Sequence, residues 1–329
     1  MKKRLFSILS AAVLASTLLG SSLSVFAQET AAVGSLKGPT SMGLVKLMSD
    51  QESADSPEFS FTMLTAADEL SAQFTKGDID IALIPANLAS VLYNKTEGKI
   101  QVIDINTLGV LYLVTADSSI TGMADLKGKT LYTTGKGQTP EYVITYLLNA
   151  AGLTTDDVTI EYKSEAAEVV SVLAQDPEAI GVLPQPFAPV ACQQNDSLQM
   201  VSDLTAEWDA TDKGSLVTGV TVAKKAFVEK NPDLVADFLT GHEQSAAFVN
   251  ENSSDAAQLV ASYGIVEKAP VAEKALPKCN ITYLDGEDMK TALSGYLDVL
   301  FEQNPDSVGG ALPEDDFYYM PADDAAVSQ

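Results

Sequence analysis

The sequence predicts an α/β chain of two lobes, two doubly wound sheets joined by a two-strand hinge, and three observations carry that expectation. First, short strings recur in the same order at an offset of 99 or 100 residues: Gly38-Pro39-Thr40 as Gly137-Gln138-Thr139, Ala66-Ala67-Asp68-Glu69 as Ala166-Ala167-Glu168-Val169, and Ile84-Pro85-Ala86-Asn87 as Leu183-Pro184-Gln185-Pro186. A near-constant offset implies two structurally equivalent halves. Second, each string follows an apolar, β-branched run and precedes a stretch with helical spacing. Each therefore marks a strand-to-helix turn, and such turns line the ligand crevice of open α/β sheets. Third, two long extended runs, Val102 to Val114 and Leu216 to Val222, bracket the second half, and each contains a glycine able to absorb a backbone rotation, Gly109 and Gly219.

The elements follow in order. Lys2, Lys3 and Arg4 lead into the apolar stretch Leu5 to Leu19, with small residues at Val25-Phe26-Ala27, so residues 1–27 read as a secretory signal. Ser21 stands where a lipoprotein would carry its lipidated cysteine, so the chain is expected to be exported without a lipid anchor of its own. Ala32 to Leu36 is a strand, and Met42 to Met48 a helix capped by Thr40 or Ser41. Phe59 to Leu64 and Ile81 to Ile84 are strands, each followed by a helix, Asp68 to Phe74 and Leu88 to Tyr93. Strands and helices alternating over short connections imply parallel pairing.

In the second half, the strand Thr130 to Thr134 runs into a helix from Pro140 to Ala151, with proline at its start and Gly152 after its end, the expected asymmetry. After Val222 the pattern is helical: one helix from Asn231-Pro232-Asp233, another from Ser254-Asp255 to Gly264, and a third from Gly286 to Gln303. The resulting division is lobe one over 28–110 and, mostly helical, 219–320; lobe two over 111–218; and a disordered acidic tail over 321–329.

Composition narrows the function classes. The chain has 329 residues, long enough for two lobes, since single cores stop growing near ~250–300 residues. Its net charge is −25, and Arg4 is its sole arginine. Nucleic acid needs a basic surface, so it is excluded as a partner. Guanidinium clamps on carboxylate or phosphate are excluded with it. One histidine, His242, and two separated cysteines, Cys192 and Cys279, do not make a metal cage. His242 reads as a helix-surface residue. The cysteines fall in different halves, where a bridge would hamper opening, and two free thiols are expected.

The turns carry the candidate site. A turn such as Gly137-Gln138-Thr139 leaves backbone N–H groups aimed at the crevice, a ready place for a polar or anionic group. Thr40, Ser41 and Thr139 add hydroxyls there, either as donors to a ligand or as helix caps. Asn87 and Gln185 occupy matching places beyond the third strand of each half, where an amide offers both donor and acceptor or closes its own turn. Lys136, with Lys37 as its weaker counterpart, is placed to neutralise an anionic group or to stand in solvent. Phe187 and Trp208 supply either a stacking wall or core packing, and Glu165 either an amine partner or a cap. No nucleophile elbow, no histidine beside a nucleophile and no phosphate-binding glycine motif is present, so no catalytic or metal residue is assigned and no cofactor is expected.

Asp125-Leu126-Lys127-Gly128-Lys129, the segment Gly77-Asp78-Ile79-Asp80-Ile81-Ala82 and the start Leu36-Lys37-Gly38-Pro39-Thr40 together resemble the type II periplasmic solute-binding proteins of ABC transporters, in the nitrate/sulfonate/taurine and thiamine-pyrimidine branch. The resemblance covers nearly the whole chain after the signal. It implies a type II periplasmic-binding-protein-like fold that traps one small solute, sulfonate-, nitrate- or pyrimidine-like, and delivers it to membrane permease subunits. It implies a monomer and no cofactor. By position it points to Thr40, Ser41, Met42, Ala67, Asn87, Thr107, Gly135, Thr139 and Gln185 as cleft residues, beside Lys136 from the charge argument. The missing arginines depart from a site for a strongly anionic ligand. The rival expectation is an enzyme on the same two-lobed fold, which needs a base in the cleft.

Overall fold

The computed structural model describes residues 30–211 and 213–321; the expected signal segment and the acidic end after Pro321 lie outside the described residues. Strands β1 (Ala31–Leu36), β2 (Phe59–Leu64), β3 (Ile81–Pro85) and β4 (Ile100–Leu108) open the chain. They are followed by β5 (Leu111–Thr115), β6 (Thr130–Thr133), β7 (Thr159–Tyr162), β8 (Ile180–Pro184) and β9 (Gln199–Asp203), and then by β10 (Val217–Lys224) and β11 (Ile281–Leu284). Two sheets result, six-stranded in the order β11-β4-β10-β3-β1-β2 and five-stranded in the order β7-β6-β8-β5-β9.

The echo in the sequence is an echo in topology. β1 pairs parallel with β2 and β3, as β6 does with β7 and β8. Next to each parallel trio lies an antiparallel strand from across the sequence, β10 beside β3 and β5 beside β8. β3 and β8 are buried on both faces, which is why each reads as an unbroken apolar run ended by a proline, Ile81-Ala82-Leu83-Ile84-Pro85 and Ile180-Gly181-Val182-Leu183-Pro184. Each fully buried Ile, Leu or Val there contributes roughly 1.5–3 kcal/mol relative to exposure. The chain changes sheet between β4 and β5 and again between β9 and β10.

The glycines of these crossings have a different reason from the one expected. Neither has a positive φ. A Cβ on Gly109 would stand 2.1 Å from Thr205 Oγ1, and one on Gly219 would stand 2.5 Å from Asn106 Oδ1 and 2.9 Å from Thr40 Cγ2. Close approach of neighbouring chain, rather than backbone rotation, requires glycine at both.

Three other expectations are corrected. The single helix Met42 to Met48 is two pieces, Pro39–Met42 and Val45–Ser53, and neither Thr40 nor Ser41 caps the first: its N-cap is Gly38. Both hydroxyls instead donate to the carbonyl of Leu36, at 2.8 and 2.6 Å, because the tight turn after β1 leaves that acceptor within their reach. The segment after residue 222 also contains β11, four residues that pair with β4 and extend the first sheet.

His242 is wholly buried rather than on a helix surface. Its helix, Pro232–Glu251, packs against the six-stranded sheet, and the imidazole Nδ1 lies 3.1 Å from Asp104 Oδ2 on β4. Asp104 also accepts from Thr221 Oγ1 at 2.7 Å, and Thr221 Oγ1 accepts from Asn106 Nδ2 at 3.2 Å. A buried carboxylate needs such donors, and the sequence separation of 138 residues hides the pairing. Both cysteines are free, and burial pushes the Cys279 thiol up to about 12.

Candidate functional site

A cavity of about 400 Å³ lies between the two sheets, within the ~300–1,000 Å³ usual for small-molecule sites. One wall comes from the turns that follow β2 and β3. It consists of Ala67 and Asp68 at the start of the helix Ala67–Lys76, then Pro85, Asn87, Leu88 and Val91 along β3 and the helix Ala86–Lys95. The facing wall is the turn Gly137-Gln138-Thr139 with Pro140 and Tyr142, at the start of the helix Thr139–Ala150. Val110, Leu111, Pro184 and Thr218 from the crossings and β8 close the base, and Asp306 and Ser307 form one rim.

The two walls touch. Thr139 Oγ1 lies 3.5 Å from Asn87 Oδ1, and Asn87 Nδ2 donates to the Ser307 carbonyl at 3.4 Å. Both distances sit at the long limit of a hydrogen bond, so the amide and the hydroxyl keep most of their capacity for a better partner. Asn87 is 9% exposed and Thr139 7%, so that capacity is held almost out of water. Each residue sits in the first turn of its helix, where unpaired N–H groups already gather.

Carboxylates dominate the charged groups. Asp68 and Asp306 line the cavity, which has no lysine or histidine among its lining residues. Glu141, in the first turn of its helix, accepts the Gly137 N–H in a short hydrogen bond. Burial, then Glu141 and Asp306, raise the Tyr142 phenol above its ordinary range, so it is neutral at physiological pH. The one serine of the lining donates its hydroxyl to the carbonyls of Leu300 and Asn304.

Of the residues expected at the site, the structure brings Ala67, Asn87 and Thr139 to the cavity wall. Thr40, Ser41, Met42 and Thr107 lie buried behind it: Ser41 Oγ is 2.6 Å from Ser35 Oγ, Met42 Sδ accepts from the Cys279 thiol at 3.7 Å, and Thr107 donates to Asn106 at 2.9 Å. Gly135, at φ 74°, shapes the turn before the wall without lining it. Lys136 stands over the Tyr162 ring, 5.9 Å from its centroid, and does not line the cavity. Gln185 is buried, with Nε2 3.9 Å from Met200 Sδ and Oε1 without a partner among the described residues.

Trp208 is core, its ring 4.3 Å from Tyr146 and 5.6 Å from Tyr296, and Phe187 and Glu165 are not lining residues. Among the lining residues that sequence reasoning missed, Asp68, Tyr142, Asp306 and Ser307 carry polar groups. Asp68 stood inside an echoed string, and its place in the first turn was the available signal.

Solved structures share this fold. An ABC transporter protein from Parabacteroides distasonis superposes with a TM-score of 0.76 at 24% identity, covering 89% of this chain and 98% of that one. The periplasmic aliphatic sulphonate-binding protein of Escherichia coli does so with a TM-score of 0.72 at 18% identity, covering 89% and 93%. The chain has the periplasmic binding protein fold. A family model described as NMT1/THI5-like matches residues 98–256, in line with the solute-binding branch that the motifs resemble. A curated Brucella abortus protein named only as a binding protein is 24% identical over 210 residues, 61% of this chain. The chain matches 64% of the length of that relative.

Proposed function

We propose that the protein is the extracytoplasmic solute-binding component of an ABC importer, which traps one small organic solute in the cavity and passes it to permease subunits at the membrane. The observation that carries this reading is the cavity itself, walled by turns from both sheets, with Asn87 and Thr139 meeting across it. The six-stranded sheet with its helices forms one jaw and the five-stranded sheet with its helices the other; Val217 and Thr218, expected in the second, begin β10 in the first. The crossings β4–β5 and β9–β10 join them. Ala67, Asn87 and Thr139 contact the solute, and the other expected positions, Thr40, Ser41, Met42, Thr107, Gly135, Lys136 and Gln185, shape or support the walls. The protein is an exported monomer and binds without turnover.

The mechanism is a population shift. Only the closed arrangement touches the solute from both jaws, so binding favours closure by the difference in affinity between the two states. A micromolar affinity, about −8 kcal/mol, is ample to reverse an open-state preference of a few kcal/mol. Mass spectrometry of small molecules released from gently purified protein tests the reading. A single solute recovered unchanged after prolonged incubation is the expected result. Its chemical conversion would favour the enzyme instead.

A further inference from the structure

We infer that the trapped solute carries a protonated amine on an apolar body. This rests on the solute-binding reading of the cavity and names the class of solute it takes. The cavity is defined independently of charge, by the facing turns and the buried Asn87 and Thr139. Its charged lining is of one sign: Asp68 on one wall and Asp306 on the rim, with no cation to balance them.

Two of the three helix starts at the cavity already carry their own anion; the third, Ala86–Lys95, has no acid in its first turn and presents the Asn87 amide there. Asp68 and Glu69 occupy the first turn of the helix Ala67–Lys76, and Glu141 holds the Gly137 N–H at the start of the helix Thr139–Ala150. Carboxylates in a first turn neutralise the positive pole that an anionic ligand would use. Lys136, the cation expected at this turn, stands over the Tyr162 ring, and neither it nor Lys37 lines the cavity. A sulfonate or nitrate entering here would meet two carboxylates and no counter-charge.

A protonated amine meets the opposite conditions. Asp68 and Asp306 supply the counter-charge at the mouth, and Tyr142 in the lining offers an aromatic ring that can attract a cation. Leu88, Val91, Val110 and Leu111 offer an apolar bed for the rest of the molecule. Asn87 and Thr139 are left to orient a polar group at the inner end.

The test is calorimetry on the full chain with three matched series, primary amines, alcohols and sulfonates on the same butyl, phenylethyl and phenylpropyl skeletons. Amines should bind at least tenfold more tightly than the alcohols, and sulfonates should not bind. Asp68→Asn with Asp306→Asn should weaken amine binding at least tenfold and leave the alcohols unchanged. Raising salt should weaken the amines alone, because the two carboxylates are solvent-exposed and screened. Sulfonate binding that Asn87→Leu abolishes would overturn the amine while leaving the cavity as the site. If no probe binds, both fall.

Discussion

The two halves share a backbone plan, yet they spend it differently. After β1 the chain turns into a helix over two residues, 37–38, and after β6 over five, 134–138, with a threonine in the first turn of each helix. In the first half, Thr40 and Ser41 donate inward to the Leu36 carbonyl, and the helix that follows ends after four residues. In the second, Thr139 faces the cavity and begins a helix of 12 residues. The third strands diverge in the same way: Asn87 reaches across the cavity, whereas Gln185 turns to Met200. A duplicated sheet therefore does not give a duplicated site. The cavity is assembled from turns that are not equivalent, the second and third of one half against the first of the other.

The largest expected effect breaks that comparison at the threonines. Thr139→Trp should fill the cavity, abolish ligand-induced thermal stabilisation and leave the unliganded melting temperature nearly unchanged. Thr40→Trp should do the reverse. Its methyl already crowds Gly219, so overpacking should cost about 1–3 kcal/mol or more in urea denaturation. An unaltered ligand response in the Thr139 variant would remove it from the site.

The amides give a smaller effect of both kinds. Asn87→Leu should lower solute affinity at least tenfold by calorimetry. Gln185→Leu should leave affinity alone and raise stability by about 1 kcal/mol, because a buried amide oxygen without a partner costs about 1–3 kcal/mol that an apolar side chain does not. Equal losses of affinity in the two variants would mean that the halves contribute alike after all.

Much of this was legible in sequence because it depends on local chemistry. The buried strands β3 and β8 announce themselves as apolar runs stopped by proline, and the helix Gly286–Gln303 has the ends that were read. What escaped depends on partners far along the chain. Asp306 and Ser307 reach the cavity because the turn Pro305–Val308 docks on the helix Ala86–Lys95, where Ser90 donates to the Val308 carbonyl across 218 residues. His242 escaped for the same reason, since nothing within its own helix reveals Asp104. β11 was too short for any period to show, and Gln185 stands one residue past its strand's proline where Asn87 stands two past, so it turns to Met200 instead of the cavity.

The smallest effect separates the halves by acid. Asp117, Asp125 and Asp157 in the second half are held below the usual carboxylate range, chiefly by hydrogen bonds from Ser119, Thr121 and Thr154 respectively. In the first half, Asp316 is lowered by Lys225 and Tyr93. A carboxylate whose folded pKa lies below its unfolded value contributes stability above the unfolded value, and loses it as pH falls through the folded one. The window therefore opens near pH 4 and runs downward, with three contributors in one half against one in the other. All are solvent-facing, so the loss is modest. Hydrogen exchange compared at pH 5 and pH 3, corrected for intrinsic rates, should show β6 and β7 losing protection before β1 and β2. If the six-stranded sheet loosened first, these loop carboxylates would not be what distinguishes the halves in acid.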